Sequence, residues 1–471
     1  MIIRTCGQIA QMVGAGLTDA GNPSGEDFTE TVVKGVCFDT RKIQPGNLFV
    51  PLIGQRDGHD YVLEALAQGA AAALWQIGRP KPEEGLPLIE VEDTLEALQK
   101  LAHAYRSELP VRIVGITGSN GKTTTKDLLA SLLGTTYNVH KTAGNLNNHI
   151  GLPMTLLEMD ERTEMAVLEM GMSGRGEIEL LSRIAEPEAA IVTNIGESHL
   201  LQLGSREEIA RAKTEILSGL KPDGFFVYNG DEPLIERLMP EMPQPSSMLR
   251  YRFGASDSND IYPVGVMQDG DGTHFQTNLP GARSLFVPLL GLHNVVNALA
   301  AIAVAKFMGV SDDEIEQGLK VVELTSMRIE PVKLKSGVLV LNDAYNASPT
   351  SMQAGLALLT DLKGYSRKFA ILGDMLELGS REEEFHREIG RALEPETVDG
   401  VFTYGRLARY VAEEAAKRLG EDKVQAFDDK AELIRKLRGL LKEGDAVFVK
   451  GSRGMRLEEV VAALKSEDEA V

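Results

Sequence analysis

The run Val111-Arg112-Ile113-Val114-Gly115-Ile116-Thr117-Gly118-Ser119-Asn120-Gly121-Lys122-Thr123-Thr124-Thr125 decides how this chain is read. Val111, Ile113, Val114 and Ile116 make an apolar run of strand length. Past the loop, Leu128, Leu129, Leu132 and Leu133 share one face of a helix. Strand, glycine-rich loop, Lys-Thr and helix form the layout of a phosphate-binding loop. Its glycines let backbone N–H groups turn toward phosphate oxygens, and the helix N-terminus adds partial positive charge. The standard pattern wants a glycine where Ile116 stands, so the loop is a shorter G-x-x-G-K-T starting at Gly118. A plain glycine turn is the competing reading, but the flanking strand and helix favour a nucleoside triphosphate site. Lys122 is then expected on the outer phosphates, with the Thr123 hydroxyl on Mg²⁺.

A chain of 471 residues is too long for one ordinary core. Hydrophobic content of 43% with 25% charged residues describes a soluble globular protein. A net charge of −20 without any Lys/Arg block argues against nucleic acid or an acidic membrane as partner. Positive groups for an anionic substrate must therefore be local. The first residues lack the apolar core and small-residue cleavage site of a signal peptide. The most apolar long stretch, residues 295–310, is too short to span a membrane and carries Asn297 and Lys306, so it reads as a buried helix. Cys6 and Cys37 show no metal-ligand spacing and are expected as buried free thiols. The cytoplasm is the expected compartment.

Three α/β segments follow. Residues 1–92 read as a small α/β domain whose polar corner, Asp39-Thr40-Arg41, lies between strand-like runs. Arg41 is either a surface charge or a partner for an anionic ligand. Residues 93–325 alternate strands and helices, as a mostly parallel sheet requires, with strands expected at 165–169, 189–194 and 225–229. From 251 to 288 short strands and turns suggest an antiparallel extension of that sheet. Residues 326–471 repeat the alternation in a Rossmann-like pattern, with strands near 338–341, 368–372, 401–403, 424–427 and 446–449; no G-x-G-x-x-G follows the first of them, so a dinucleotide is not indicated. The last few residues look frayed.

In an open parallel sheet, ligands gather beyond the carboxyl ends of the strands. Glu169 closes one strand there, Asn194 ends another, His199 lies just beyond it, and Lys213 sits on the next helix. With Thr123, a carboxylate and an imidazole there could hold divalent ions against a triphosphate. The Asn-rich stretch Thr142-Ala143-Gly144-Asn145-Leu146-Asn147-Asn148-His149 offers many amide donors and acceptors to a polar ligand.

These residues resemble the Mur ligases of peptidoglycan synthesis. The resemblance covers all three segments. It rests on Asp39-Thr40-Arg41, the phosphate loop, the Asn-rich stretch, Leu168-Glu169-Met170-Gly171, Thr193-Asn194-Ile195-Gly196 with His199, residues 291–301, Asp343-Ala344-Tyr345-Asn346-Ala347-Ser348-Pro349, Gly373-Asp374-Met375-Leu376-Glu377-Leu378-Gly379 and Lys450-Gly451-Ser452-Arg453. It is strongest to members that join D-alanyl-D-alanine to UDP-N-acetylmuramoyl-tripeptide, and so implies an ATP- and Mg²⁺-dependent, ADP-forming amide ligase, expected as a monomer. The resemblance implies that residues 1–92 bind the UDP substrate, 93–325 bind ATP, and 326–471 close on ATP and bring the amino substrate. It implies that Gly118, Ser119, Asn120, Gly121, Lys122, Thr123 and Thr124 hold the phosphates. Thr123 and Glu169 would bind one Mg²⁺, and His199 with Lys213 a second; in relatives the matching lysine is carbamylated. Asn294 and Asn297 match an adenine-side motif. Arg328, Asp343 and Asn346 match positions through which the third domain reaches the nucleotide. Thr40 and Arg41 fall in the UDP region, and Asn145, Asn148, Ser173 and Arg175 would face the peptidyl substrate or its metals. Ser348 stands where asparagine is common and takes no role.

Four rivals are weighed. The ligase adding the third peptide residue carries Asp-Asn-Pro-Arg, which is absent here. A folylpolyglutamate synthase would leave residues 39–49 without a purpose. A P-loop switch or transport ATPase would need an Asp-x-x-Gly or Asn-Lys-x-Asp type element, and none is convincing. A non-catalytic scaffold would have no reason to keep Lys122, Glu169, His199 and Arg328.

Overall fold

Strand Arg112–Thr117 lies inside a six-stranded sheet, and every neighbour runs parallel to it. Across the sheet the order is Leu249–Phe253, Phe225–Asn229, Ala189–Val192, Arg112–Thr117, Met165–Glu169 and Val139–Lys141. The inner strands are apolar on both faces because helices cover both, which is why they read as continuous hydrophobic runs. The pleat divides them. Ile113, Ala166, Leu168, Ala190 and Val192 face one core, while Val114, Ile116, Val167, Ala189 and Ile191 face the other. Helix Lys122–Leu133 buries its four leucines in the second core against helix Leu292–Phe307, the expected Ala-rich buried helix.

This computed structural model describes residues 1–15, 28–83, 85–269 and 271–468. The expected fraying of the final residues falls on 469–471, outside that set, as does Gly270 of the expected turn after Asp269. The first segment contains a four-stranded parallel sheet, Val36–Cys37, Leu48–Phe49, Ala72–Gln76 and Leu88–Val91. Cys6 and Cys37 are buried free thiols, and burial pushes the Cys6 thiol up to about 12. One face of this segment's sheet has a core of its own, where Phe49, Ala73, Trp75 and Leu88 pack with Val62 and Ala65, but the other face is shared. Ile2, Ile9, Leu48, Leu74 and Ile89 join Leu98, Leu101 and Tyr105 of helix Thr94–Glu108 and the near face of the central sheet in one continuous cluster. The main chain is stitched across the same boundary, with the Ile2 N–H donating to the Leu157 carbonyl at 2.7 Å.

One expectation is corrected. Residues 251–288 do not extend the central sheet as antiparallel strands. Leu249–Phe253 is its parallel edge strand, and Pro263–Gln268, Thr273–Thr277 and Leu285–Val287 form a separate three-stranded antiparallel sheet. Phe275, Leu285 and Val287 of this small sheet pack into the core behind helix Leu292–Phe307. In the third segment, the sheet order is Glu330–Lys333, Leu339–Asp343, Asp445–Lys450, Arg367–Gly373, Gly400–Tyr404 and Val424–Phe427. All its pairs are parallel except the first, and apolar cores cover both faces.

Leu101 is fully buried where the first segment meets the central sheet. Leu101→Ala should cost about 2–5 kcal/mol in urea unfolding. Trp75 lies on the other face of the same four-stranded sheet, so its fluorescence and a probe in the central sheet should then lose structure together. A separate early transition of Trp75 would contradict the shared core.

Candidate active site

The phosphate loop is rigid because its glycines occupy conformations and spaces closed to other residues. Gly118 has φ of 148° and Gly121 of 79°. A Cβ on Gly118 would lie 1.8 Å from Thr193 Oγ1, and one on Gly121 would lie 2.5 Å from Asn297 Oδ1. Asn194 holds the loop from the neighbouring strand end: its carbonyl accepts from Ser119 N–H at 3.0 Å and its Oδ1 from Asn120 N–H at 2.8 Å. The Thr193 hydroxyl donates to the Asn120 carbonyl at 2.6 Å, and the Ser119 hydroxyl accepts from Gly196 N–H at 2.9 Å. The Lys122 ammonium folds back on the Gly118 carbonyl at 2.9 Å. Thr124 follows in the first turn of helix Lys122–Leu133.

Thr123 and Glu169 meet as expected, with the hydroxyl donating to Glu169 Oε2 at 2.8 Å, both side chains buried. The other carboxylate oxygen accepts from the Asn147 side-chain amide at 2.8 Å, and the Thr142 hydroxyl accepts from Glu169 N–H at 3.0 Å. Asn147 also occupies the space that a side chain on Gly171 would need. Lys213 is buried and makes no hydrogen bond or ion pair among the described residues. His199 caps a short helical turn in left-handed backbone, φ 67°, and its buried Nδ1 makes no well-directed hydrogen bond.

The third segment reaches this site directly. Arg328 donates to Thr123 Oγ1 at 3.2 Å, stacks 4.1 Å from the Tyr345 ring centroid, and leaves its buried Nε without a partner. The residues on either side of it, Met327 and Ile329, both have positive φ, 62° and 53°. Just upstream, the Thr325 N–H and hydroxyl both donate to Asp127 Oδ2 at 2.8 Å. Asp127 lies buried on the phosphate-loop helix, and Lys141 pairs with it at 2.7 Å. Ser348 caps helix Pro349–Asp361 and donates to Asn120 Oδ1 at 3.1 Å. Lys450 binds Asp343 Oδ2 at 2.5 Å and the Asn346 carbonyl at 3.0 Å. Asn297 lies against Gly121 and donates to Asn294 Oδ1 at 3.4 Å, while Asn294 donates to the Leu290 carbonyl at 2.8 Å.

The expected substrate residues are more scattered. Thr40 and Arg41 lie in a 3₁₀ turn of the first segment, where Arg41 is exposed and forks onto Asp39. Asn145 and Ser173 are exposed, and their side chains make no hydrogen bond among the described residues. Asn148 accepts from Ile150 and Gly151 N–H groups, capping helix Gly151–Glu158. Arg175 pairs with Glu208 and Glu215. Four residues without an assigned role in the sequence reading, Asn147, Asp127, Ser348 and Lys450, hold the assigned ones in place. Asn147, Ser348 and Lys450 lie within motifs of the sequence reading, and Asp127 lies in none.

The electrostatics are one-sided. Burial lowers the Lys122 pKa; Glu169 opposes that in part, and Arg328 adds a smaller push in the same direction as burial. Burial, then Lys122, pushes Lys213 well below its ordinary value. Burial, Lys213 and Lys122 bring His199 down to about 4. Basic groups are thus brought together with too little negative charge among them, and the orphaned Arg328 Nε and Asn120 side-chain amide are donors awaiting acceptors. A polyphosphate supplies both the charge and the acceptors. Among the described residues no three His, Cys, Asp or Glu side chains form a metal cage. Thr123 and Glu169 nonetheless suit Mg²⁺, which takes one or two protein oxygens and completes its shell with phosphate and water.

His293, at the start of helix Leu292–Phe307, is brought down to about 4 by burial, with Lys450 adding to the shift and Asp343 opposing it. An ordinary histidine in the unfolded chain binds its proton near 6.5, so the unfolded state holds more protons between 6.5 and about 4. Stability is therefore lost as pH falls through that window. His293→Gln should reduce the loss between pH 7 and 4.5 in urea titrations; an unchanged slope would contradict this.

Residues 32–106 match the Mur ligase family catalytic domain, 116–305 the Mur ligase middle domain, and 327–453 the Mur ligase glutamate ligase domain. The UDP-N-acetylmuramoyl-tripeptide--D-alanyl-D-alanine ligase of Bacillus subtilis (strain 168) is 49% identical over 98% of this chain and 99% of its own. A crystal structure of MurF from Acinetobacter baumannii superposes with a TM-score of 0.88 at 30% identity, over 99% of both chains. MurF from Thermotoga maritima in complex with ADP superposes at 0.82 with 29% identity, over 96% of this chain and 100% of its own. With its segments matched in order and its length shared end to end, the chain belongs to the Mur ligase family.

Proposed function

We propose that this chain is an ATP-dependent, ADP-forming ligase that joins D-alanyl-D-alanine to UDP-N-acetylmuramoyl-tripeptide through an acyl phosphate. The observation that carries this reading is the cluster of buried Lys213 with half-buried Lys122, His199 and Arg328 around a glycine loop, with Thr123 and Glu169 beside it. The 49% identical relative is named for the same reaction, and the Thermotoga maritima relative holds ADP.

A substrate carboxylate repels an amine and has no leaving group. Transfer of the γ-phosphoryl group to it makes a mixed anhydride that the amine opens, releasing phosphate. In this reading the backbone and side chains of residues 118–124 hold the phosphates. Lys122 swings from the Gly118 carbonyl to the transferring group, and Arg328 brings its unpartnered Nε to the same charge. Thr123 and Glu169 would hold one Mg²⁺ and His199 with a carbamylated Lys213 the other, supplying charge neutralisation between phosphate oxygens. Burial and the adjacent Lys122 lower the Lys213 pKa, which favours the neutral amine that adds CO₂. Asn294 and Asn297 serve the adenine side, while Asp343 and Asn346, tied by Lys450, hold the third domain's edge at the nucleotide. Thr40 and Arg41 meet the UDP group. Asn145 and Ser173 offer free side chains to the peptide, and Asn148 and Arg175 shape the loops that carry them. Closure of the third domain excludes water from the acyl phosphate.

The chain is expected to work as a monomer with no nucleic-acid partner. Among the described residues no helix is long and apolar enough to cross a membrane. ATP and a UDP-sugar peptide are cytoplasmic substrates, and we infer that the reaction runs there.

Lys122→Ala should lower kcat by about 10²–10³-fold or more, with the melting transition retained because the buried ammonium contributes charge, not packing. Supplied with ATP, UDP-N-acetylmuramoyl-tripeptide and a panel of amines, the wild type should consume D-alanyl-D-alanine in preference to single amino acids and make ADP. Retained turnover in the variant, or preference for a single amino acid, would overturn the assignment.

A further inference from the structure

The reaction above makes no use of Glu377, yet this residue is built into the domain boundary with some care. It lies in the run Gly373-Asp374-Met375-Leu376-Glu377-Leu378-Gly379, just past strand Arg367–Gly373. Its backbone is left-handed, φ 65°, as is that of His199, φ 67°. The two face each other across the boundary between the central and third domains. Glu377 Oε2 lies 3.1 Å from His199 Nδ1, and the Glu377 carbonyl accepts from Leu201 N–H at 3.1 Å. Gly379 sits so close that an added Cβ would meet Leu201 Cα at 3.3 Å.

The run is also braced from behind. The His386 ring takes the Met375 N–H on Nε2 at 2.9 Å, so its proton is on Nδ1, which donates to the Glu382 carbonyl at 2.6 Å. The Ser452 hydroxyl accepts from Leu376 N–H at 2.9 Å, and Asp374 accepts from Leu407 and Ala408 N–H groups at 3.0 and 2.7 Å. A loop fixed this firmly delivers its carboxylate to one place. At that place stands a buried imidazole nitrogen that has no well-directed hydrogen bond of its own.

We propose that Glu377 is a positioning residue for His199: a carboxylate from the third domain that accepts the Nδ1 proton and so leaves Nε2 as the lone-pair nitrogen. An imidazole ligand is oriented and made more basic when its other nitrogen donates to a carboxylate. The consequence is that the second magnesium position is completed only when the third domain is docked, which couples closure to metal binding. This inference rests on the reading of His199 as a metal ligand.

The test titrates Mn²⁺ into the full-length protein with a non-hydrolysable ATP analogue, followed by electron paramagnetic resonance. Glu377→Ala should weaken one Mn²⁺ site by about 10–100-fold with an unchanged melting temperature. Glu377→Gln, which keeps an acceptor, should recover most of that affinity. Nitrogen NMR of the His199 ring should show Nδ1–H as the single tautomer in the wild type and a mixture in Glu377→Ala. An unaltered Mn²⁺ profile in Glu377→Ala, or equal losses in the Ala and Gln variants, would overturn the positioning role. His199→Ala separates the two readings. If it too leaves both Mn²⁺ sites intact, His199 is not a ligand; if it removes one while Glu377→Ala removes none, only the positioning role falls.

Discussion

Lys213 is buried beside half-buried Lys122 and Arg328, and the nearby carboxylate of Glu169 is already engaged by Thr123 and Asn147. Holding cations out of water without full compensation is unfavourable, and the protein meets that cost by lowering their pKa values. Such an arrangement persists only in a frame that cannot relax around it. The frame is the strand-end network of Thr193 and Asn194, the close approach of Asn297 to Gly121, and the two apolar cores on either side of the central sheet. The site is thus preorganised for an anion before one arrives, as electrostatic catalysis requires. In a chain with a net charge of −20, this local excess of positive charge stands out against everything around it.

The same constraint explains how the third domain is attached. Asp127 links the phosphate-loop helix to the connecting segment through Thr325, and Arg328 follows three residues later between two left-handed residues. A β-branched residue such as Ile329 rarely adopts positive φ, and strain of this kind costs about 1–3 kcal/mol per residue. It is sustained because the contacts of Arg328 with Thr123 and Tyr345 hold the segment at both ends. Ser348 on Asn120 and Thr350 on Glu197 add polar contacts of the kind that can be made and broken as domains move.

The phosphate loop, the parallel strands and the Thr123–Glu169 pairing were legible in the sequence because they rest on local signals: an apolar run, a glycine spacing, a carboxylate at a strand end. The membership of strands 263–268, 273–277 and 285–287 was not. Alternation says that a strand has two faces, but not which sheet it joins, and these pack behind a helix that is distant in sequence. In the Asn-rich stretch, Asn145 and Asn148 were singled out, yet Asn147 is the one that reaches Glu169. The choice among three neighbouring amides depends on the loop's backbone path, which composition does not encode. Asp127 and Ser348 reach partners across separations of 198 and 228 residues, which no local pattern reports.

The central claim is that this loop hands a phosphoryl group to a carboxylate. In that reaction the carboxylate oxygen becomes the bridging oxygen of the acyl phosphate, and it leaves with phosphate when the amine attacks carbon. The most direct measurement therefore uses UDP-N-acetylmuramoyl-tripeptide labelled with ¹⁸O in its terminal carboxylate. One turnover should carry one labelled oxygen into inorganic phosphate and leave ADP unlabelled. Label in a nucleotide monophosphate, or phosphate free of label while amide forms, would contradict the account.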